Sequence, residues 1–342
     1  MGDFILIDGF ETPQEPADFA AFDRASVTPD DLRYVEGRDG GRALQNDSSS
    51  GDWGEIDLPD GSFAFAGHFW ALEPSEDGLL VTLRNPDGDT VVTVNLDGDA
   101  KLVLDIDGDN KYTGDEVVVE ETWQFIELVY RADDDDVDLY RNGSLEATAS
   151  VSDVSISALR VHWNVGSFPD EVRWDDLAVR TGDDRIGDVS IVPITLVDNG
   201  AHTDLDPEPD SDDEWDVVSD LFPKDTRDNE SDALNDRYLV ADDAGQKRHT
   251  FTVDKDSIPE GFTPLAIAAE VSARIGSGGG AGTYEATVRA GGDDYDYAET
   301  SLPSSSTRVT HILNANPATD APWGRDDLDE LEVGVRVDIN ES

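Results

Sequence analysis

The sequence has no cysteine, and it has only one methionine and five lysines among its 342 residues. The absence of cysteine excludes a disulfide framework, a thiolate nucleophile and a cysteine-based zinc site. Long apolar runs are missing as well. Near the N-terminus, the short run at positions 4–7 (FILI) has no basic stretch before it. We therefore expect neither a signal peptide nor a membrane span.

Histidine is also scarce, and the spacing of the histidines argues against a zinc protease. The five histidines are His68, His162, His202, His249 and His311. None of them stands four residues from another, so the helical spacing of a zinc protease is absent. The sequence also has no Gly-x-Ser-x-Gly elbow and no glycine-rich phosphate loop before a helix. These absences favour a protein that is not an enzyme.

Acidic residues, in contrast, are abundant. Asp and Glu number 78 against 24 Lys and Arg, which gives a net charge of -54. Such a charge opposes compaction in dilute buffer, whereas 1 M salt shortens the screening length to roughly 3 Å. The composition therefore predicts a protein adapted to brine; an acidic protein with another purpose, such as calcium buffering, is the alternative. A phosphate backbone would be repelled, so nucleic acid is not an expected partner.

Strand and turn signals run through the first half. Asp-Gly pairs begin at positions 87, 97 and 107, and Asn142-Gly143 follows another apolar run. These pairs favour the two-residue turns of β-hairpins. In the run at 63–70 (FAFAGHFW), alternation places Phe63, Phe65 and Phe69 on one face and His68 and Trp70 on the other.

A polar run at 180–184 marks a boundary, so we expect two domains, residues 1–183 and 187–342. After it, residues 189–194 (VSIVPI) predict a new strand, and residues 265–275 alternate as another. The acidic stretch 204–213 and the glycine-rich stretch 276–282 predict loops. One short helix is predicted at 325–330. The fold class is therefore all-β, with two β-sandwich domains.

The first half resembles the concanavalin A-like, laminin-G-type jelly-roll family. The residues that carry the resemblance are the segments 40–44 (GGRAL), 123–130 (WQFIELVY), 139–143 (LYRNG) and 174–179 (WDDLAV), together with the phenylalanine strand after Gly61. The resemblance covers roughly residues 3 to 180. It implies a jelly-roll sandwich that binds glycans or proteins, since glycosidases are a minority of that family.

The second half resembles β-sandwich modules at the C-termini of tailed-virus structural proteins. The carrying residues are the segments 186–189 (IGDV), 317–319 (PAT) and 331–335 (LEVGV), with Trp323 and Leu328. With brine adaptation, this resemblance implies a virion structural protein of a haloarchaeal tailed virus, in a tail fibre, baseplate or capsid turret. The expected partners are further copies of the chain, other virion proteins and a host surface glycan or S-layer.

The candidate cofactor is calcium. In the segment 105–116, Asp105, Asp107, Asp109 and Glu116 occupy positions 1, 3, 5 and 12 of a calcium-binding loop. The predicted flanks are strands rather than helices, so this segment is not an EF-hand. A solvated hairpin in a repeating Asp-Gly series is the alternative.

The candidate glycan-binding residues are His68, Trp70 and Trp163, with Trp53 as a further possibility, because sugars stack on exposed aromatic rings beside polar groups. The alternative is that these rings fill the sandwich. The segment 54–60 (GEIDLPD) is similar to the Glu-x-Asp-x-x-Glu strand of laminarinase-type glycosidases, but Asp60 stands where that family has its acid/base glutamate. The rival functions are a secreted haloarchaeal carbohydrate-binding protein and, more remotely, such a glycosidase.

Overall fold

The computed structural model describes residues 2–8, 24–25, 32–38, 42–46, 53–72, 78–151, 154–163, 172–208, 238–241, 244–275, 281–304 and 307–340. The chain divides into two compact units, Met1–Ile191 and Val192–Ser342. Both are built from antiparallel β-strands, so the predicted all-β class is confirmed. No helix in these ranges is long and apolar enough to cross a membrane.

Fifteen strands make up the described part of the first unit. They are β1 (Phe4–Asp8), β2 (Arg24–Ala25), β3 (Leu32–Glu36), β4 (Arg42–Asn46), β5 (Trp53–Asp57), β6 (Phe63–Ala71), β7 (Gly78–Arg84), β8 (Thr90–Leu96), β9 (Lys101–Ile106), β10 (Asp109–Val117), β11 (Gln124–Arg131), β12 (Asp136–Arg141), β13 (Ser144–Ser150), β14 (Ala158–His162) and β15 (Val172–Thr181).

These strands form the two layers of a jelly-roll sandwich. The eight-stranded sheet has the order β13-β12-β11-β6-β15-β4-β3, and β1 pairs with β15 beside it. The seven-stranded sheet has the order β10-β9-β8-β7-β14-β5-β2. Strands distant in sequence are neighbours in both sheets, as when β6 pairs with β11 and β15. The strand order therefore comes from long-range pairing and not from hairpins alone.

Turn chemistry explains the hairpins that join neighbouring strands. Asp107 and Gly108 connect β9 to β10 with φ angles of 53° and 81°. Asn142 and Gly143 connect β12 to β13 with φ angles of 47° and 83°. Asp and Asn tolerate the left-handed region and glycine enters it without steric cost, so these pairs suit two-residue turns. The hairpins predicted at both positions are confirmed.

The core of the first unit lies between the two sheets. Phe63, Phe65 and Phe69 point into it from β6, as the alternation predicted. The rings of Phe65 and Phe69 pack against Trp174, with centroids 6.2 and 5.9 Å apart. The indole N–H of Trp174 donates to the carbonyl of His162 at 2.7 Å, so this large ring is buried without losing its hydrogen bond.

The segment 182–194 contains no strand, so the strand predicted at 189–194 is wrong. Side chains of the eight-stranded sheet, rather than a neighbouring strand, take up backbone groups of this segment. Glu127 accepts from the amides of Ile186 and Gly187, and Asp176 accepts from the amide of Ile191. These bonds are why residues 184–191 belong to the first unit, although the sequence placed the end of the first domain at residue 183.

The second unit has ten strands in its described part. They are β16 (Thr195–Thr203), β17 (Asp206–Glu208), β18 (Tyr238–Val240), β19 (Gly245–Asp254), β20 (Ile267–Ala273), β21 (Gly282–Ala290), β22 (Asp293–Asp296), β23 (Thr300–Ser301), β24 (Thr307–Leu313) and β25 (Glu332–Ile339). Within the acidic stretch predicted as a loop, Asp206–Glu208 is a strand, while residues 209–213 lie outside the described residues. Of the glycine-rich stretch, residues 276–280 also lie outside them.

A six-stranded sheet of order β16-β19-β25-β21-β22, with β23 on β21, forms one layer of this unit. The β20–β24 pair packs on it through a core of Ile267, Ala269, Val288 and Leu313. The indole of Trp323 donates to the carbonyl of Leu313 at 2.9 Å. The predicted helix is present as the 3₁₀ helix Arg325–Glu330, whose residue Leu328 is buried in the same core.

Candidate functional site

The outer face of the seven-stranded sheet carries a buried carboxylate between two arginines. Glu55 on β5 is 1% exposed. Its Oε2 accepts from Nη1 of Arg84 on β7 at 2.9 Å and from Nε of Arg160 on β14. Burial of a lone carboxylate would be costly, and the two guanidinium groups offset that cost. The cluster therefore has one more positive than negative charge, in a chain that is otherwise strongly acidic.

Trp53 lies two residues before Glu55 on the same face of β5. Its ring is partly exposed, and the guanidinium carbon of Arg160 lies 3.5 Å from the ring centroid. Arg160 therefore contacts Glu55 through Nε while its planar group stacks on Trp53, an arrangement that favours arginine over lysine. The interaction fixes the orientation of both side chains before any ligand arrives.

His162 on β14 stands opposite Trp53 in the strand register. Its Nε2 lies 3.2 Å from the hydroxyl of Thr82 in a buried pair. Burial, together with the charge of Arg160, lowers the pKa of His162 to about 3. The imidazole is therefore neutral at ordinary pH, and it adds no charge to the face.

The polar face continues from this cluster across the neighbouring strands. Thr82 pairs with Thr93 on β8, and Thr93 pairs with Asp105 on β9. Asn95 donates from its side-chain amide to the Thr93 hydroxyl at 3.0 Å. Thr93, Asn95 and Asp105 are partly exposed, as Trp53 and the two arginines are. Hydroxyl, amide and guanidinium groups beside an aromatic ring can contact both the hydroxyl groups and the apolar face of a sugar ring.

The glycosidase-like motif begins on this face but does not continue along it. Glu55 and Asp57 point to the same side of β5, and the strand ends at Asp57. Asp60 lies beyond the strand end, after Pro59, in the bend before Gly61. Retaining hydrolysis needs two carboxyl groups about 5 Å apart, one of them free to act as a nucleophile. In this cluster, Glu55 is instead engaged by two arginines.

Trp163 was predicted to bind glycan, and the structure contradicts that prediction. It is fully buried and belongs to the core cluster between the sheets. Its ring therefore presents no face to a ligand, because it packs between the two sheets. Trp163 directly follows β14, and the alternation of that strand places it opposite His162, on the core side.

His68 was predicted to share an exposed face with Trp70, but it is buried on the outer side of β6. Its Nε2 lies 3.1 Å from Asp188, and its Nδ1 lies 3.5 Å from Asp176. Burial and the charge of Arg38 lower the pKa of His68, and the two carboxylates oppose that shift. The segment 184–191 carries Asp188 over this face, so His68 anchors the segment rather than a sugar.

Trp70 remains partly exposed on the same face as His68. The guanidinium carbon of Arg173 lies 4.0 Å from its ring centroid, and Arg173 Nε donates to the side-chain oxygen of Gln45 at 2.9 Å. Trp70 thus repeats the arginine-on-tryptophan arrangement of Trp53 on the opposite sheet, where the arginine donates to Gln45 instead of to a buried carboxylate. It serves as a natural control for Trp53.

The segment 184–191 is held by charged side chains that sequence reasoning did not identify. Glu127 on β11 is fully buried and accepts from Arg185 Nε at 2.7 Å, in addition to the two amides described above. Asp176, in the bulge of β15, accepts from Arg38 Nη2 at 2.8 Å. Arg38 also donates to the Val189 carbonyl at 3.1 Å. These partners are far apart in sequence, and no local pattern links them.

The predicted calcium loop is a β-hairpin in the structure. Asp105 lies on β9, Asp107 is in the turn, and Asp109 and Glu116 lie near opposite ends of β10. The last two are thus separated by about 20 Å at the rise of a strand. Glu116 pairs with Arg141 at 2.8 Å. Among the residues that the structure describes, no group of three acidic or histidine side chains could hold a metal.

No protein-family model matches the sequence, and no curated protein matches it. Domain 4 of an extracellular arabinanase from Geobacillus stearothermophilus, in complex with arabinotriose, aligns over 53% of this chain and 93% of its own, with 13% identity and a TM-score of 0.37. An alginate lyase from Corynebacterium sp. aligns over 42% and 69%, with 16% identity and a TM-score of 0.30. A sialidase aligns over 45% of this chain but 17% of its own, with 12% identity and a TM-score of 0.32.

Proposed function

We propose that this chain is a salt-adapted, non-catalytic binding protein whose first unit binds a glycan on the outer face of the seven-stranded sheet. The observation that supports this most is the partly exposed ring of Trp53, held by Arg160 beside a polar strip that crosses β5, β14, β7, β8 and β9. A ring face orients a sugar, and fixed hydrogen-bonding groups beside it select among sugars.

The proposed biological setting is the surface of a haloarchaeal tailed virus. The charge of -54 supports a brine habitat, and the resemblance of residues 187–342 to tailed-virus modules supports a virion. In that setting the jelly roll would bind a host surface glycan or S-layer, and the second unit would join other virion proteins. Mass spectrometry of purified virions tests this part: the polypeptide is expected in stoichiometric amounts. Recovery from culture medium but not from virions would favour the secreted carbohydrate-binding alternative.

Binding is tested with the full chain on a glycan array in 3 M KCl, followed by titration of each glycan that gives a signal. Replacing Trp53 with alanine is expected to weaken binding about tenfold, since a well-placed ring contact contributes about 1.5 kcal/mol. Trp70→Ala is the matched control, because it removes the same type of stacked ring from the other sheet. Equal losses in both variants, or no loss in Trp53→Ala, would contradict the assignment of the site.

The absence of catalysis is tested separately. Wild-type protein and Glu55→Gln are incubated with a β-glucan in brine, and new reducing ends are measured. We expect none from either protein, because the carboxylate of Glu55 is occupied by Arg84 and Arg160. Release of reducing ends by the wild type that Glu55→Gln abolishes would establish a glycosidase and overturn this part of the proposal.

A further inference from the structure

The two arginines that hold Glu55 differ in the hydrogen-bonding groups that they leave open. Both Nη groups of Arg84 are used, since Nη1 donates to Glu55 and Nη2 donates to the carbonyl of Gly88. Arg160 donates to Glu55 through Nε alone. Among the residues that the structure describes, neither Nη group of Arg160 has a hydrogen-bond partner, and 19% of its side-chain surface is accessible. A guanidinium carries five N–H groups, so four of those on Arg160 remain for a ligand.

Two contacts hold these open donors in place. Nε of Arg160 is bonded to the buried carboxylate of Glu55, and the guanidinium carbon lies 3.5 Å from the centroid of the Trp53 ring. A long side chain fixed at two points has already lost much of its rotamer freedom, so a ligand that binds it orders little more. The Nη groups of Arg160 are therefore preorganised donors beside a partly exposed aromatic ring.

Two further carboxylates on this face lie away from the Trp53 ring. Asp57 is on the far side of Glu55 along β5, four residues from Trp53, which is about 13 Å at the rise of a strand. Asp105 shares a register row with Arg160 but lies three strands away, at about 14 Å. In 1 M salt, charges are screened beyond roughly 3 Å. A ligand at Trp53 in brine is therefore governed by its direct contacts with Arg160 and not by these carboxylates.

A ligand that covers Arg160 removes water from a charged group. Neutral hydroxyl groups replace those water contacts only in part, so the uncompensated charge opposes binding. A carboxylate or a sulfate ester presents two oxygens on one edge, and its hydrogen bonds to a guanidinium are shorter and stronger than neutral ones. The planar fork of arginine matches that geometry. The open Nη groups of Arg160 therefore favour an anionic group on the ligand.

We propose that the ligand of this face is an acidic glycan, whose carboxylate or sulfate group binds the Nη groups of Arg160 beside Trp53. This inference rests on the proposed glycan-binding function and adds the chemical class of the sugar. Arg84 compensates the buried charge of Glu55, so the charge of Arg160 remains for the ligand. Glu55 is then a positioning residue, since it takes Nε of Arg160 and leaves both Nη groups open.

Pairs of glycans that differ only in charge test the inference on the wild-type chain. Oligogalacturonate is compared with its methyl ester, and sulfated dextran with unmodified dextran, by titration in 3 M KCl. The acidic member of at least one pair is expected to bind about tenfold more tightly than its neutral partner, and the pair that shows the difference identifies the group as a carboxylate or a sulfate. Equal binding within both pairs would overturn the inference, while a loss of that binding in Trp53→Ala would leave the proposed glycan site in place. Binding of none of the four would also overturn it, and the array then decides the proposed function.

Substitution of Arg160 tests which residue reads the charge. Arg160→Gln is expected to reduce the preference for the acidic glycan from about tenfold to under about threefold, and circular dichroism in the same buffer checks that the variant is folded. Arg173→Gln is the matched control, because Arg173 also stacks on a tryptophan, Trp70, but in the other sheet; it is expected to keep the full preference. A preference that survives Arg160→Gln, or one that Arg173→Gln removes equally, would overturn the assignment to Arg160.

Discussion

Removal of the Glu127 carboxylate should release the segment 184–191 without unfolding the jelly roll. Glu127 accepts from the amides of Ile186 and Gly187 at 2.5 and 3.0 Å and from Arg185 at 2.7 Å. Each buried donor left without an acceptor costs about 1–3 kcal/mol. Arg185 can return to water, so two amides remain, and Glu127→Ala should destabilise the docked segment by about 2–6 kcal/mol.

Amide hydrogen exchange in 3 M KCl measures that loss directly. At about 1.4 kcal/mol per factor of ten, the amides of Ile186 and Gly187 should exchange roughly 30- to 20,000-fold faster in Glu127→Ala. Glu127→Gln keeps a carbonyl oxygen as an acceptor, so it should have a smaller effect. The amide of Leu58, which donates to the carbonyl of Ser157 within the jelly roll at 2.8 Å, is the internal reference. Unchanged protection of Ile186 and Gly187 in Glu127→Ala would refute this account of the segment.

Three further predictions concern stability. The pKa of His162 is about 3 in the folded protein and near 6.5 in the unfolded protein, so between these two pH values the proton binds only the unfolded state. The free energy of unfolding should therefore fall by up to about 1.4 kcal/mol for each pH unit below pH 6.5. Denaturant titrations of His162→Gln should lack this contribution. Trp163→Ala should lower the free energy of unfolding by about 3–5 kcal/mol because it leaves a cavity in the core. Trp53→Ala should lower it by under about 1 kcal/mol because that ring is partly exposed. Dialysis from 3 M to 0.1 M KCl should lower the melting temperature, and an unchanged value by circular dichroism would contradict adaptation to brine.

The features that sequence reasoning predicted well depend on neighbouring residues. Asn142-Gly143 and Asp107-Gly108 determine their turns through their own φ angles, so the hairpins could be predicted without knowledge of the rest of the fold. The alternation of Phe63, Phe65 and Phe69 likewise identifies the core face of β6. Both signals are local, so they do not depend on how the other strands are arranged.

The candidate site could be predicted only in part, because its partners are distant in sequence. Glu55 and Trp53 lie in a recognisable strand, but their partner Arg160 is 105 positions from Glu55. No local pattern indicates that β5 pairs with β14. The same limit explains Trp163: a tryptophan beside a histidine can face either side of a sheet, and the register of β14 decides which.

The segment 189–194 was misjudged for a related reason. Its apolar residues suit a strand, yet Pro193 lacks an N–H group, and none of the strands that the structure describes pairs with this segment. The backbone instead bonds to side chains such as Asp176, which lies in a bulge with a φ angle of 51°. A bulge that redirects one carboxylate cannot be read from an Asp-Asp pair alone.

The most direct test of the proposed function is ¹⁹F NMR of the full chain labelled with 5-fluorotryptophan, in 3 M KCl, during titration with a glycan from the array. Seven resonances are expected, one for each tryptophan, and single Trp→Phe variants assign them. The account predicts that the resonance of Trp53 shifts with saturation while those of the buried Trp163 and Trp174 stay in place. A saturable shift of Trp70 alone, or binding that moves no tryptophan resonance, would contradict it.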